Sequence, residues 1–305
     1  MKKLLLSATI LLTGCGAAPV AMPVISDWAS LLSPDFAAVS TDSTLPQAPS
    51  LAKVGKIFFV AYETHLRANQ NICLATSSDA SHWSAPQKLF SGQAPALFVL
   101  GQNPAIAFES GSNISIATRN GDSWKVTKAE GLSDGALNPS VTQLKEGGIA
   151  IAYDLMMGGG CEVAESKDGI HFTKKQLVCE NGYSPSIAQK EDGTIVVAYT
   201  DENGISEVSE ENGVWGEPEA RTNDSSDLAP CLAKSGDDVV LTYSKKVDGR
   251  RAIAQVIDGR EKILIANQAH NLDPSVLFLG DEQYVALGIK RMDGGQGVFL
   301  KLSSR

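Results

Sequence analysis

Leu137-Asn138-Pro139-Ser140, Ile149-Ala150-Ile151-Ala152-Tyr153-Asp154, Gly158-Gly159-Gly160, Cys161-Glu162-Val163-Ala164-Glu165-Ser166, the turn through Asp168-Gly169-Ile170-His171-Phe172, then Gln176-Leu177-Val178-Cys179: from residue 137 to 179 the chain writes four short β-type runs separated by turn residues. The same unit recurs along nearly the whole sequence. A Pro followed by a small residue falls at Pro49-Ser50, Pro95-Ala96, Pro139-Ser140, Pro185-Ser186, Pro230-Cys231 and Pro274-Ser275, with gaps of 46, 44, 46, 45 and 44 residues. About ten residues after each Pro comes an apolar, β-rich segment, such as Phe58 to Tyr62, Ile195 to Tyr199 or Val239 to Tyr243. A period in the forties with four strands per unit is the signature of propeller blades. Six repeats predict an all-β fold: a six-bladed β-propeller of four-stranded antiparallel blades.

The repeat makes the 305 residues one large domain rather than two. The net charge of −9 argues against a nucleic-acid partner, whose backbone needs a basic surface. Met1-Lys2-Lys3 followed by the apolar run Leu4 to Leu12 is too short to span a bilayer and reads as a signal peptide. Its end, Leu12-Thr13-Gly14-Cys15, resembles the lipobox of bacterial lipoproteins. That resemblance implies cleavage before Cys15, acylation of Cys15 and tethering to a membrane leaflet. Gly16 after the Cys implies the outer membrane in a Gram-negative cell. The alternative is an ordinary secreted chain with a chance Cys. The expected organisation is a signal peptide over 1–14, the lipidated Cys15 and a short tether over 15–24, and a propeller over 25–305, monomeric at the cell envelope.

Four other cysteines remain. Cys161 and Cys179 lie nine residues either side of residue 170, so a hairpin turning there makes them cross-strand neighbours that a disulfide can bridge, or else two buried thiols. Export supplies the oxidising conditions a bridge needs. Cys73 and Cys231 belong to different blades and read as packed free thiols. The sixth repeat lacks an outermost strand before the chain reaches Arg305. The segment Ile25 to Leu32, with Trp28, is expected to supply that strand from the N-terminal side and so close the ring without open edges.

The turn Ser166-Lys167-Asp168-Gly169-Ile170-His171-Phe172 resembles the Asp-box of sialidase-type blades, and Ser77-Ser78-Asp79-Ala80-Ser81-His82-Trp83 is a second copy with Ala for Gly. Its carboxylate caps turn N–H groups, Gly takes the strained torsion, and the aromatic packs between sheets. The resemblance implies a sialidase-like propeller over 25–305, with the boxes on the face away from an active site. It also implies, for an enzyme, three arginines clamping the substrate carboxylate, the first two residues before a repeat Pro. Those positions hold Gln47, Gln93, Leu137, Tyr183, Leu228 and Leu272.

With strands running inner to outer, the loops into the first strand and between the second and third share one face. That face carries Glu63, His65, Arg67, Glu109, Asp154, Met156, Met157, Asp201 and Glu202 from blades one to four. Blades five and six add Lys245, Lys246, Arg250, Arg251, Asp273, Lys290 and Arg291. Carboxylates on one side and cations on the other suit a mixed-charge ligand or a partner protein, or simply fill solvated loop tips. Leu272-Asp273-Pro274 is also similar to the Asp-Pro start of furanosidase-type propellers, which implies Asp273 with Glu109 or Asp154 as an acid–base pair. The candidate ligand-binding residues are Glu63, Arg67, Glu109, Asp154, Asp201, Lys245, Lys246 and Arg291. His65, His82, His171 and His270 lack metal-ligand spacing, and no phosphate-binding loop or nucleophile elbow is present. Neither a metal nor a cofactor is expected. The function that follows is an envelope-anchored propeller binding a glycan or a protein partner; the rival is an exo-acting glycoside hydrolase of the sialidase type.

Overall fold

The computed structural model describes residues 28, 31–41, 44–66, 69–156, 158–257 and 259–304. Six antiparallel sheets follow one another in chain order. Blade one is Pro46–Val54, Ile57–Leu66, Asn69–Ser77 and Gln87–Ser91; blade two is Gln93–Leu100, Asn103–Ser110, Asn113–Asn120 and Ser123–Lys128. Blade three is Ala136–Gln143, Ile149–Leu155, Cys161–Ser166 and Phe172–Cys179; blade four is Tyr183–Gln189, Ile195–Thr200 and Ile205–Glu211, its outer edge split into Val214–Trp215 and Glu219–Ala220. Blade five is Leu228–Ser235, Asp238–Val247, Arg250–Ile257 and Arg260–Ile265. Blade six is His270–Leu279, Glu282–Lys290 and Gln296–Ser304, with Phe36–Ser40 as its outer strand.

Burial follows position within a blade. Second strands are covered on both faces by neighbouring blades, so Ile149 to Tyr153 are wholly buried and read as a continuous apolar run. The outer strand Phe172–Cys179 is covered at its ends and exposed between. The core divides into six clusters, one in each of the six interfaces between adjacent blades. No single centre holds the ring; each blade is bonded only to its two neighbours.

The corner at each inner strand explains the Pro-small repeat. The Ser hydroxyl after the Pro accepts the N–H of the following blade's inner strand: Ser50 from Leu97 (2.8 Å), Ser140 from Ile187 (3.1 Å), Ser186 from Leu232 (2.8 Å) and Ser275 from Leu51 (2.9 Å). In blade five the Cys231 thiol takes that role and accepts the Val276 N–H. Blade two carries Ala96 and has no hydroxyl to offer. The bond from Ser275 to Leu51 joins the last blade to the first.

The closing strand comes from the N-terminal side, though its position differs from the expectation. Phe36 pairs with Lys301 and Ser40 with Val298, whereas the expected strand was Ile25 to Leu32. Leu31 and Leu32 instead donate to the Trp28 carbonyl (3.0 and 3.2 Å), which coils this segment into a turn. The Trp28 ring then packs on Phe299 (centroids 4.8 Å apart) and beneath the Arg291 guanidinium (5.0 Å). Ser33 and Asp35 close a second turn around Pro34, and the strand starts only after it. Residues 25–27, 29 and 30 lie outside the described residues.

The two Asp-boxes sit in turns between third and fourth strands, on the face opposite the Pro corners. The Asp168 carboxylate accepts N–H groups of Ile170 and His171 (both 2.9 Å) and the Ser166 hydroxyl; Asp79 does the same with Ser81, His82 and Ser77. These bonds hold both carboxyls far below the usual carboxylate range. Gly169 takes φ 78°, and Ala80 bears the same left-handed torsion at 61°. Phe172 fills the interface of blades two and three, Trp83 that of blades six and one. Cys161 and Cys179 face each other across the third and fourth strands of blade three, not covalently bonded to one another in this structure.

Deleting residues 1–40 removes the Trp28 packing and leaves Gln296–Ser304 as an open edge. The melting temperature should fall by roughly 10 °C, since ~1 kcal/mol corresponds to about 2–4 °C in a domain of this size. A monomeric truncated protein that melts unchanged would refute closure by this strand.

Candidate functional site

The corner face is built around a six-fold backbone irregularity. The residue before each Pro has a left-handed torsion: Ala48 (46°), Ala94 (48°), Asn138 (47°), Ser184 (49°), Ala229 (55°) and Asp273 (48°). The pairing register slips at the same place in all six inner strands. Such a bulge turns one N–H out of the ladder, and that donor needs another acceptor.

At three corners a carboxylate from the preceding blade's second strand meets that need. Glu63 accepts the Ala94 N–H (2.6 Å), Glu109 that of Asn138 (2.7 Å) and Asp154 that of Ser184 (2.8 Å). In blade six the equivalent register position is Gly288, which has no side chain to offer. There Asp273 reaches from its own corner to the Ala48 N–H. Side chains bond the same carboxylates. Gln47 (2.8 Å) and His65 (2.6 Å) bond Glu63; Gln93 bonds Glu109; Asn138 bonds Asp154 (2.9 Å). Glu63, Glu109 and Asp154 are only 6, 4 and 5% exposed.

These carboxylates feel one another. Burial raises the Glu109 pKa, and the nearby Asp154 and Glu63 add to the effect against the Asn138 and Gln93 hydrogen bonds. Burial pushes Asp273 up to about 6, reinforced by Glu63 and opposed by the Ala48 N–H and Arg251. The six corners surround a central cavity of ≈ 220 Å³, and among the described residues Asp273 is the one charged residue lining it.

The predicted cations are engaged as well. Lys245 lies between Asp227 (3.4 Å) and Glu261 (3.1 Å). Arg291 is bonded to Asp293 and stacked on Trp28, so it clamps the N-terminal segment. Lys246 is exposed. Asp201 bonds its own loop, accepting from Asn203 N–H (2.7 Å) and Gly204 N–H (3.1 Å). Arg67 and Met157 lie outside the described residues. The face therefore gathers Glu63, Glu109, Asp154 and Asp273 near the axis, while Asp201, Lys245 and Arg291 serve separate local structures.

Tyr–Glu hydrogen bonds recur as Tyr153–Glu162 (2.6 Å), Tyr243–Glu261 and Tyr284–Glu282 (2.6 Å). The first two tyrosines are wholly buried and Tyr284 nearly so; burial and the Glu partner raise their pKa values, that of Tyr284 to about 12. Arginines are dispersed: Arg119 bonds the Gly121 carbonyl on the Asp-box face, Arg221 approaches Glu207 (3.7 Å), and Arg251 bonds the Ser226 carbonyl. Among the described residues no group of three or more His, Cys, Asp and Glu could hold a metal ion.

Off the axis lies a larger groove of ≈ 710 Å³ between blades three and four, lined by Glu180, Asn181, Tyr183, Asp201, Glu202 and Asn203 among others. Sequence reasoning placed Asp201 and Glu202 on this face without joining them in a groove, and passed over Tyr183, the only aromatic among the six positions two before a Pro.

No protein-family model and no curated protein sequence matches the chain. Solved structures do resemble it. A protein of unknown function from Dyadobacter fermentans superposes with a TM-score of 0.76 at 13% identity, over 91% of this chain and 100% of that one. A Hadza microbial sialidase gives 0.66 at 12% identity, over 85% of this chain and 66% of that one. Trypanosoma rangeli sialidase gives 0.61 at 12% identity, over 88% and 60%. The chain thus spans about two thirds or less of those two sialidases.

The Asp273 environment generates a pH prediction. Its folded pKa of about 6 exceeds the ordinary 3.8, so the folded chain holds a proton between pH 4 and 6 that the unfolded chain has released. Ionised Asp273 therefore costs stability, fully so above pH 6. Asp273→Asn, an amide that blade three already carries at Asn138, should raise the melting temperature at pH 7 by about 2–5 °C and change it little at pH 4. Equal destabilisation at both pH values would contradict this account.

Proposed function

We propose that this sialidase-like six-bladed β-propeller is a binding module of the bacterial cell envelope, tethered by a lipid on Cys15, whose corner face engages a glycan or an envelope protein. The observation that carries the reading is the state of the carboxylates. A hydrolase needs two carboxyl groups free to exchange protons with substrate at a set separation. Glu63, Glu109, Asp154 and Asp273 each accept a backbone N–H of the next blade instead. Using one in catalysis would release a corner. A binder has no such requirement, and exposed loop charges such as Glu202 and Lys246 suffice to complement a partner.

The test is a fluorogenic sialoside assay beside a glycan-array screen, both on the full chain in detergent. No sialic acid release and salt-sensitive array binding are expected, because exposed charges are screened as ionic strength rises. Release of sialic acid that Asp273→Asn or Glu109→Gln abolishes, with the melting temperature unchanged or raised, would restore the hydrolase reading. For the tether, Cys15→Ser should shift the protein from the membrane to the soluble fraction.

A further inference from the structure

We propose that the groove between blades three and four binds a saccharide carrying a free ammonium group, an inference that rests on the binding reading above. Tyr183 stands at the rim with 46% of its surface exposed. An aromatic ring left in water beside a concave surface offers a stacking face to the C–H side of a pyranose and a π face to a cation. Its place is fixed by the backbone. A Cβ added at Gly182 would lie 2.5 Å from both the Cys179 sulfur and the Tyr199 ring, so only glycine lets the chain press this close and present residue 183 outward.

The polar lining sets the ligand's charge. Glu180, Asp201 and Glu202 contribute carboxylates and Asn181 and Asn203 carboxamides, and among the described residues no Lys, Arg or His lines the groove. Carboxamides and carboxylates accept from sugar hydroxyls, while the net negative field repels acidic sugars and favours an amine. The groove's ≈ 710 Å³ falls within the range of small-ligand pockets. Asp201 caps its own loop through the Asn203 and Gly204 N–H groups, so Glu180 and Glu202 are the groove's exposed carboxylates.

Isothermal titration of the full chain in detergent with tetrameric glucosamine, its N-acetylated counterpart, sialyllactose and spermidine separates the possibilities. The free-amine oligosaccharide should bind at least fivefold more tightly than the acetylated one. Tyr183→Ala should weaken that binding at least tenfold with an unchanged melt, and Tyr183→Phe should retain it. If the acetylated or sialylated sugar binds as well, or Tyr183→Ala has no effect, the groove assignment falls while glycan binding stands. Spermidine binding as tightly as the amino sugar overturns the saccharide class. If no sugar binds here or on the array, the inference falls together with the glycan part of the reading above.

A separate observation carries a second inference: we infer that Cys161 and Cys179 form a disulfide in the exported protein. The two are direct cross-strand partners, and their thiols are in hydrogen-bond contact. Closure breaks two S–H bonds, forms one S–S bond and passes two electrons to a disulfide-bearing thiol oxidase, with two protons released. Peptide mapping after alkylation without reductant, on protein purified from a bacterial envelope, should recover the linked Cys161–Cys179 pair. Alkylation of both residues would overturn it.

Discussion

The structure depends on one hydrogen bond repeated at five of the six blade boundaries, from an inner strand's N–H to the Ser hydroxyl or Cys231 thiol at the preceding blade's corner. Propeller blades bury apolar faces against each other, and that burial is large but non-directional. It would tolerate a blade sliding along its neighbour. A hydroxyl that must meet a particular N–H fixes the slide, and four serines and Cys231 repeat the constraint around the axis. Each bond contributes only about 1 kcal/mol net, but an orphaned donor beside the axis costs roughly 1–3 kcal/mol.

The corner carboxylates extend the same logic. A left-handed residue before proline is strained, and the bulge exposes an N–H with no ladder partner. Glu63, Glu109, Asp154 and Asp273 supply the acceptor across the blade boundary. Their charge is therefore tied to the architecture, and the cost is burial, with mutual repulsion near the axis adding to it, expressed in the raised pKa values of Glu109 and Asp273. With the axis so occupied, the freest surface chemistry lies in the off-axis groove beside Tyr183.

How much of this was legible depends on sequence distance. The blade count could be read because the period repeats and the apolar second strands need no partner identity to be recognised. The Asp-box roles could be read because Asp168 and its donors lie within three residues. The partnership of Glu63 with Ala94 could not, since 31 residues and a blade boundary separate them and nothing in the residue types distinguishes a cap from a ligand contact. Arg291 resembled a loop-tip cation until Trp28, more than 250 residues away in the chain, was placed beneath it. Trp28 matches the aromatic near the start of other outer strands, Trp124, Phe172 and Trp215, and so points to Ile25–Leu32 as the closing strand. The Ser33-Pro34-Asp35 turn that delays the strand to Phe36 is a local signal that was outweighed.

The most direct measurement of the central claim is the urea-unfolding stability of a corner series. Ser50→Ala, Ser140→Ala, Ser186→Ala and Ser275→Ala should each lose about 1–2 kcal/mol, while Ala96→Ser, which completes the ring, should gain up to ~1 kcal/mol. Four alanine variants as stable as the parent, with Ala96→Ser neutral or destabilising, would show that apolar burial alone sets the blades in register.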